Sequence, residues 1–333
     1  MTIVEKVGKW KNKRILIIGD ALIDRYIIGN ADKISPDAPV PNVKIEKSEI
    51  YLGAIGLVLQ FIKSLGGIPE ICAVVGDDYE GEFFIKKVRE LNINHHNILI
   101  DENINTPQIT RIKAKDQHLL RLETDYSNQI SNSIREDLLD KKITAYNNIE
   151  SIILLDYGIN GIFDDHYIPK MLQVLRDNYK DVPIIVRPNL SNYYLFENID
   201  LMKINLQKSL QNFSIKCCND TSITIAGKRI INSSKCKALL LNYLELDSYL
   251  FYRKQERVEK IKSILDKPVR GYIAVGSVIM AVLGLISASK IPLLDGVKIA
   301  MFAAALSATL PQVEFFNSKV LENYILKYEK DKL

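Results

Sequence analysis

Arg14-Ile-Leu-Ile-Ile-Gly-Asp20 is a continuous apolar run that closes on a glycine and a carboxylate. Such a run is a strand buried on both faces, with a polar residue at its carboxyl end. Similar runs recur along the chain. Ile71–Val75 leads into Gly76-Asp77-Asp78, and Ser151–Leu155 into Asp156-Tyr157-Gly158. Pro183–Val186 leads into Arg187-Pro188, and Leu201–Ile204 and Ala238–Leu241 are shorter candidates. Helical spacing fills the intervals: Ala54–Leu65, which stops at Gly66-Gly67, then Glu80–Leu91, Ser133–Tyr146 and His166–Tyr179. Strand–helix alternation predicts a parallel sheet with helices on both faces. Ligands of such sheets sit at the carboxyl ends of the strands, here Asp20/Asp24, Gly76-Asp77, Asp156–Gly158 and Arg187-Pro188.

Two regions do not fit that layer. Asn42–Leu52 alternates Val43 and Ile45 with Lys44 and Glu46, as a half-exposed strand does. Pro107–Lys113 and Gln117–Glu123 alternate too, and the short Ala114-Lys115-Asp116 link predicts a hairpin. Pro36, Pro39 and Pro41 exclude a helix between them. These segments predict a small polar-faced sheet standing off the main layer. Its apolar side is expected to carry Val43, Ile45, Ile109 and Leu120.

Of 333 residues, 47% are hydrophobic and 25% charged, which excludes disorder and a coiled coil. A net charge of +4, with no run of lysine and arginine alone, gives no argument for nucleic acid. Gly271 to Ser289 carries no charge, but its glycines and serines fit a helix buried in a large α/β domain better than a membrane span. Cys72, Cys217, Cys218 and Cys236 form no C-x-x-C, and no secretory signal precedes the first strand. A reducing cytoplasm is the expected location. His95, His96, His118 and His166 lack metal-ligand spacing. There is no P-loop, no G-x-G-x-x-G and no G-x-S-x-G.

Four stretches resemble the ribokinase/PfkB carbohydrate kinases. They are Gly19–Tyr26 (GDALIDRY), Ile34–Pro41 (ISPDAPVP), Val75–Gly81 (VGDDYEG) and Thr110–Glu123 (TRIKAKDQHLLRLE). Within that family the chain is most similar to the heptose 7-phosphate kinases that supply ADP-heptose for lipopolysaccharide. The resemblance implies one ribokinase-like domain over 1–333: a mostly parallel central sheet flanked by helices, with a β-sheet lid from about 34–52 and 107–123. It also implies a homodimer joined through the lid. The family's adenylyltransferase partner is not expected within a chain ending at Leu333.

The family's phosphoryl-transfer signature is D-x-x-G-A-G-D-[ST] at a helix N-terminus. Its last Asp is the general base, and its glycine N–H groups cradle the transferring phosphoryl group. The apolar helix that follows fixes the matching positions here as Ile273, Ala274, Val275, Gly276 and Ser277. Gly276 stands at the base position and cannot accept a proton. Nearby in sequence, only Asp266 and Asp295 carry carboxylates. The magnesium-organising N-x-x-E reads Asn205 to Lys208, the D-P-K-G turn reads Arg187 to Leu190, and the nucleotide-side turn reads Asn242 to Asp247 without glycine. On the sugar side, P-G-G-x-x-N reads Tyr51 to Gly56. Asp24, Gly53, Gln117 and Arg121 remain as implied substrate-binding residues, and Asn205 and Gly276 mark the implied cofactor side.

The sequence thus reads as a degenerate sugar kinase, a pseudokinase with no metal site, that binds a sugar phosphate or a protein. Its partner is a second copy or an active paralogue, and neither nucleic acid nor membrane is expected. The alternative is an active kinase using ATP and magnesium on a substrate such as heptose 7-phosphate.

Overall fold

A computed structural model describes residues 2–330 apart from 116, 206, 208–210, 212–218, 243–246, 266–267 and 311–312. Cys217, Cys218, Lys208, Asp266 and the segment 243–246 therefore lie outside the described residues. The run that opened the reading is β1 (Arg14–Gly19). It lies inside a nine-stranded sheet between β4 (Ile68–Gly76) and β8 (Ser151–Leu155). From β8 the sheet continues through β9 (Ile184–Arg187), β10 (Leu201–Asn205) and β11 (Ala238–Asn242), all parallel. β5 (Ile98–Asp101) adds a parallel edge beside β4. β12 (Ser248–Tyr252) and β13 (Arg257–Ile261) close the other edge antiparallel. These three edge strands carry no signal that the sequence pattern distinguished.

Side chains alternate across a strand, so β1 serves two cores. Ile15 and Ile17 pack with α2 (Ile55–Ser64), α7 (Val275–Ala288) and α8 (Leu293–Thr309). Leu16 and Ile18 pack on the other face with α5 (Tyr167–Asn178) and α6 (Asp220–Ser234). α7 lies between the sheet and α8, which explains why Gly271–Ser289 carries no charge. Gly284 lets it approach β8, because a Cβ there would lie 2.5 Å from Ile153 Cδ1. No helix of the described residues is long and apolar enough to cross a membrane.

The Val75–Gly81 motif is structural. Asp78 caps α3 (Tyr79–Glu90) by accepting from Gly81 N at 2.8 Å, and also accepts from Thr106 N at 2.6 Å. The stretch Ser133–Tyr146 departs from expectation. It is α-helical only over α4 (Asn132–Asp137), then turns π over Leu138–Lys142 and 3-10 over Ile143–Ala145.

The small sheet is present, with four strands in the order β3 (Pro41–Leu52), β2 (Ile23–Ile34), β6 (Gln108–Ala114) and β7 (Gln117–Thr124). β2, its central strand, was not foreseen. The expected apolar face is also corrected. Ile109 pairs with Asp24 and Glu123, whereas Leu120 pairs with Ile112 and through it with Ile27. Three register positions separate Asp24 from Ile27 on β2, so Ile109 and Leu120 point to opposite faces.

Candidate active site

A cleft of about 500 Å³ opens between the small sheet, the carboxyl ends of β8–β11 and the N-terminus of α7. At the small-sheet end Asp24 forms a buried ion pair with Arg111. The Arg111 guanidinium lies 5.3 Å from the Tyr26 ring centroid, and Tyr51 meets Tyr26 edge-on at 5.7 Å. Arg121 also lines this end and pairs with Glu123. Glycine is required at 53 by close approach: a Cβ would stand 2.1 Å from Leu22 Cδ1 and 2.9 Å from Asp24 Oδ2. Ala54 follows with φ 42° and ψ −116° at the entry to α2. That conformation suits glycine and strains an L-residue.

At the other end Tyr272, Ile273, Val275, Gly276 and Ser277 line the cleft. Ala274 caps α7 without a side-chain hydrogen bond. A Cβ on Gly276 would meet nothing within 4 Å, so the space for a side chain is open. Asp295 is remote, paired with Lys6 at 2.5 Å. Asn205 lines the floor with Arg187, Lys203 and Asn242.

Two buried carboxylates stand beside the floor, Asp156 on the cleft wall and Asp20 behind it. Asp20 accepts from Tyr157 N at 2.9 Å and Ile162 N at 3.2 Å, and a Cβ on Gly161 would collide with it at 1.8 Å. Burial pushes the Asp20 carboxyl up to about 7, and the Asp156 charge adds to the rise. Burial likewise raises Asp156, against donation from Asn192 Nδ2 and Gly158 N, each at 2.8 Å.

The cleft therefore brings Asp24, Arg121, Asn205 and Gly276 together. Gly53 packs beside it without lining it. Gln117 is exposed at the hairpin and does not line it. Sequence reasoning missed Arg111 and Lys203. A lysine inside an apolar strand is the signal that would have found Lys203, because it is 4% exposed and buried lysines are rare without a polar task.

No protein-family profile matches the chain. Over 300 residues it is 28% identical to the bifunctional protein HldE of Campylobacter curvus, covering 89% of this chain and 61% of that one. The HldE protein of Geobacter sulfurreducens is 25% identical over 292 residues, covering 88% and 59%. The chain thus spans about three fifths of the length of these relatives. Among solved structures, phosphofructokinase-2 of Escherichia coli in complex with potassium superposes with a TM-score of 0.76 at 14% identity, covering 96% of this chain and 99% of that one. The chain has the ribokinase-like fold. Ribokinase of Arabidopsis thaliana, complexed with ribose and ATP, superposes at 0.73 with 13% identity over 94% and 99% of the two chains. The resemblance to the ribokinase/PfkB carbohydrate kinases is thus supported in sequence by the HldE proteins and in fold by these kinases. The large sheet and the smaller separate sheet of the ribokinase-like fold are the two layers described above.

Proposed function

We propose that this ribokinase-like protein binds a sugar phosphate in the cleft and does not transfer phosphoryl groups. Gly276 carries the reading: the first turn of α7 holds open space where a catalytic carboxylate would stand, and among the described residues no acid fills it. Of the carboxylates that line the cleft, Asp24 is paired with Arg111, Glu123 with Arg121, and Asp156 accepts from Asn192 and Gly158, while Asp125 stands at the small-sheet end rather than on α7. Loss of a general base costs a factor of about 10²–10⁴.

Magnesium and ATP fit this cleft poorly. Arg187, Lys203 and Asn205 stand on its floor, two cations and an amide, and although Asp24, Glu123, Asp125 and Asp156 also line the cleft, no group of three or more acidic, histidine or cysteine side chains among the described residues gathers to hold a metal ion. Ile273 and Val275 line the cleft at positions where the resembled family has glycines, whose backbone N–H groups approach a phosphate closely. At the small-sheet end, Asp24 and Arg121 would hold the sugar, with Gly53 setting the position of Asp24.

The small sheet acts as a lid, within one domain, and joins two copies through its outer face. Ile27, Ile112 and Leu120 form one row of that face, and Leu120 and Leu122 are half exposed. An active paralogue could occupy the same face, and the cytoplasm is the expected compartment. The test is ADP release with Mg²⁺-ATP and heptose 7-phosphate or fructose phosphates, beside thermal shifts with each sugar phosphate alone. The expected result is no release above background and a shift with a sugar phosphate. Steady turnover would establish the active kinase instead.

A further inference from the structure

Three adjacent parallel strands end in polar residues on one face of the sheet. On β9, Ile185 belongs to the core beneath α7, so Arg187, two residues on, stands on that face. On β10, Leu201 belongs to the same core, and Lys203 and Asn205 follow on its side. On β11, Ala238 and Leu240 do the same and lead to Asn242. All four polar residues line the cleft floor opposite Gly276 and Ser277.

Two of them, Arg187 and Asn242, leave capacity for an anion. Arg187 is half-buried and its guanidinium carbon lies 4.0 Å from the Tyr157 ring centroid, which fixes the plane of the fork. Among the described residues no carboxylate forms an ion pair with it. The two nearest in charge, Asp20 and Asp156, accept from Tyr157 N, Ile162 N, Gly158 N and Asn192 Nδ2. Lys203 is buried in the same floor. Asn242 is 3% exposed, and its side-chain oxygen has no hydrogen-bond partner among the described residues. Oxygen and nitrogen of an amide exchange places by a flip, and the flipped side chain offers its Nδ2–H donor to an anion in the cleft.

We infer that Arg187, Lys203 and Asn242 form a metal-independent subsite for a phosphate group at the floor of the cleft. The inference rests on the proposed sugar-phosphate reading and adds where a phosphate is held and by which cations. A planar guanidinium binds two phosphate oxygens at once, and the buried lysine adds a point charge beside it. The subsite replaces a metal-bridged phosphate with a directly bound one. The phosphate belongs to a sugar phosphate or to a nucleotide, and the chemistry of recognition is the same.

The experiment titrates the full chain with inorganic pyrophosphate in EDTA by calorimetry. Binding without metal is expected, weakened at least about tenfold in Arg187→Gln, less in Arg187→Lys, and unchanged in the surface control Lys319→Gln. The charge-retaining Arg187→Lys gives the answer if the glutamine variant does not fold. Repeating the titration with fructose 1,6-bisphosphate and with ATP, both in EDTA, identifies the source of the phosphate by which one depends on Arg187. No binding, binding only with Mg²⁺, or equal affinity in Arg187→Gln and wild type would overturn the subsite. If fructose 6-phosphate shifts the melting temperature of wild type and Arg187→Gln equally while pyrophosphate does nothing, sugar-phosphate binding stands and the subsite falls. If pyrophosphate binding depends on Arg187 and no sugar phosphate binds, the subsite stands and the sugar-phosphate reading falls.

Discussion

The two ends of the cleft have diverged to different degrees from the kinase pattern the sequence resembles. At the small-sheet end Asp24 is in place, bound to Arg111, and Gly53 leaves it the room it needs. At the α7 end Ile273, Val275 and Gly276, which the resemblance aligns with two glycines and the base, line the cleft, and Arg187 and Lys203 occupy the floor. The small-sheet end departs from the pattern too, with Ala54 rather than glycine after Gly53, but it keeps a carboxylate on the cleft, whereas the α7 end has none among the described residues. On the proposed reading that difference separates binding, which is kept, from phosphoryl transfer, which is not.

The largest expected effect lies at the retained end. Asp24→Ala leaves Arg111 buried and unpaired, and breaking a buried pair costs about 3–5 kcal/mol. The urea midpoint should fall accordingly, and any thermal shift with a sugar phosphate should vanish. A neutral Asp24→Ala would remove the basis for treating the two ends differently.

Next comes the outer face of the small sheet. Leu120→Lys with Leu122→Lys places two cations on the outer row. Light scattering at micromolar concentration should change from dimer to monomer, while far-ultraviolet circular dichroism stays the same. A wild-type monomer would contradict a lid-joined dimer.

The smaller effects probe strain and charge. Ala54→Gly relieves the φ 42° backbone and should add about 1 kcal/mol to unfolding stability, on the 1–3 kcal/mol scale of such strain. Chemical denaturation measures it, and a loss of stability would mean that the conformation is not strained. Asp20 supplies a pH signature. Its folded-state carboxyl is raised from 3.8 to about 7, so the folded state holds the proton more tightly than the unfolded chain does. Its contribution is therefore present below about pH 4 and lost as pH rises through about 7. Asp20→Asn should flatten the fall in stability between those limits. An unchanged profile would place the titration elsewhere.

Much of the fold was legible because buried parallel strands are uninterrupted apolar runs. β1, β4 and β8 declare themselves in this way, each closing on a carboxylate. β2 did not, because Ile23–Ile34 mixes Asp24, Arg25, Asn30 and Asp32 with its apolar residues and lies mostly in a solvated sheet. The faces of Ile109 and Leu120 were misassigned because a bulge between Ile112 and Lys113 shifts the pairing, and register is not written in composition. The departures at Gly276, Ile273 and Val275 were visible as missing residue types. The gathering of Arg187, Lys203 and Asn242 was not, because their adjacency is created by strand order rather than by sequence spacing.

The central claim is that loss at the α7 end is concerted rather than a single missing base. Gly276→Asp returns a carboxylate to open space at a helix N-terminus, where the helix dipole favours its ionised form. Phosphoryl transfer, however, rests mostly on positioning and charge stabilisation. The decisive measurement is ADP release by Gly276→Asp with Mg²⁺-ATP and heptose 7-phosphate or fructose phosphates. The account predicts no turnover above the wild-type background. Clear ATP-dependent phosphorylation by that single variant would show that the rest of the site is intact, and would contradict it.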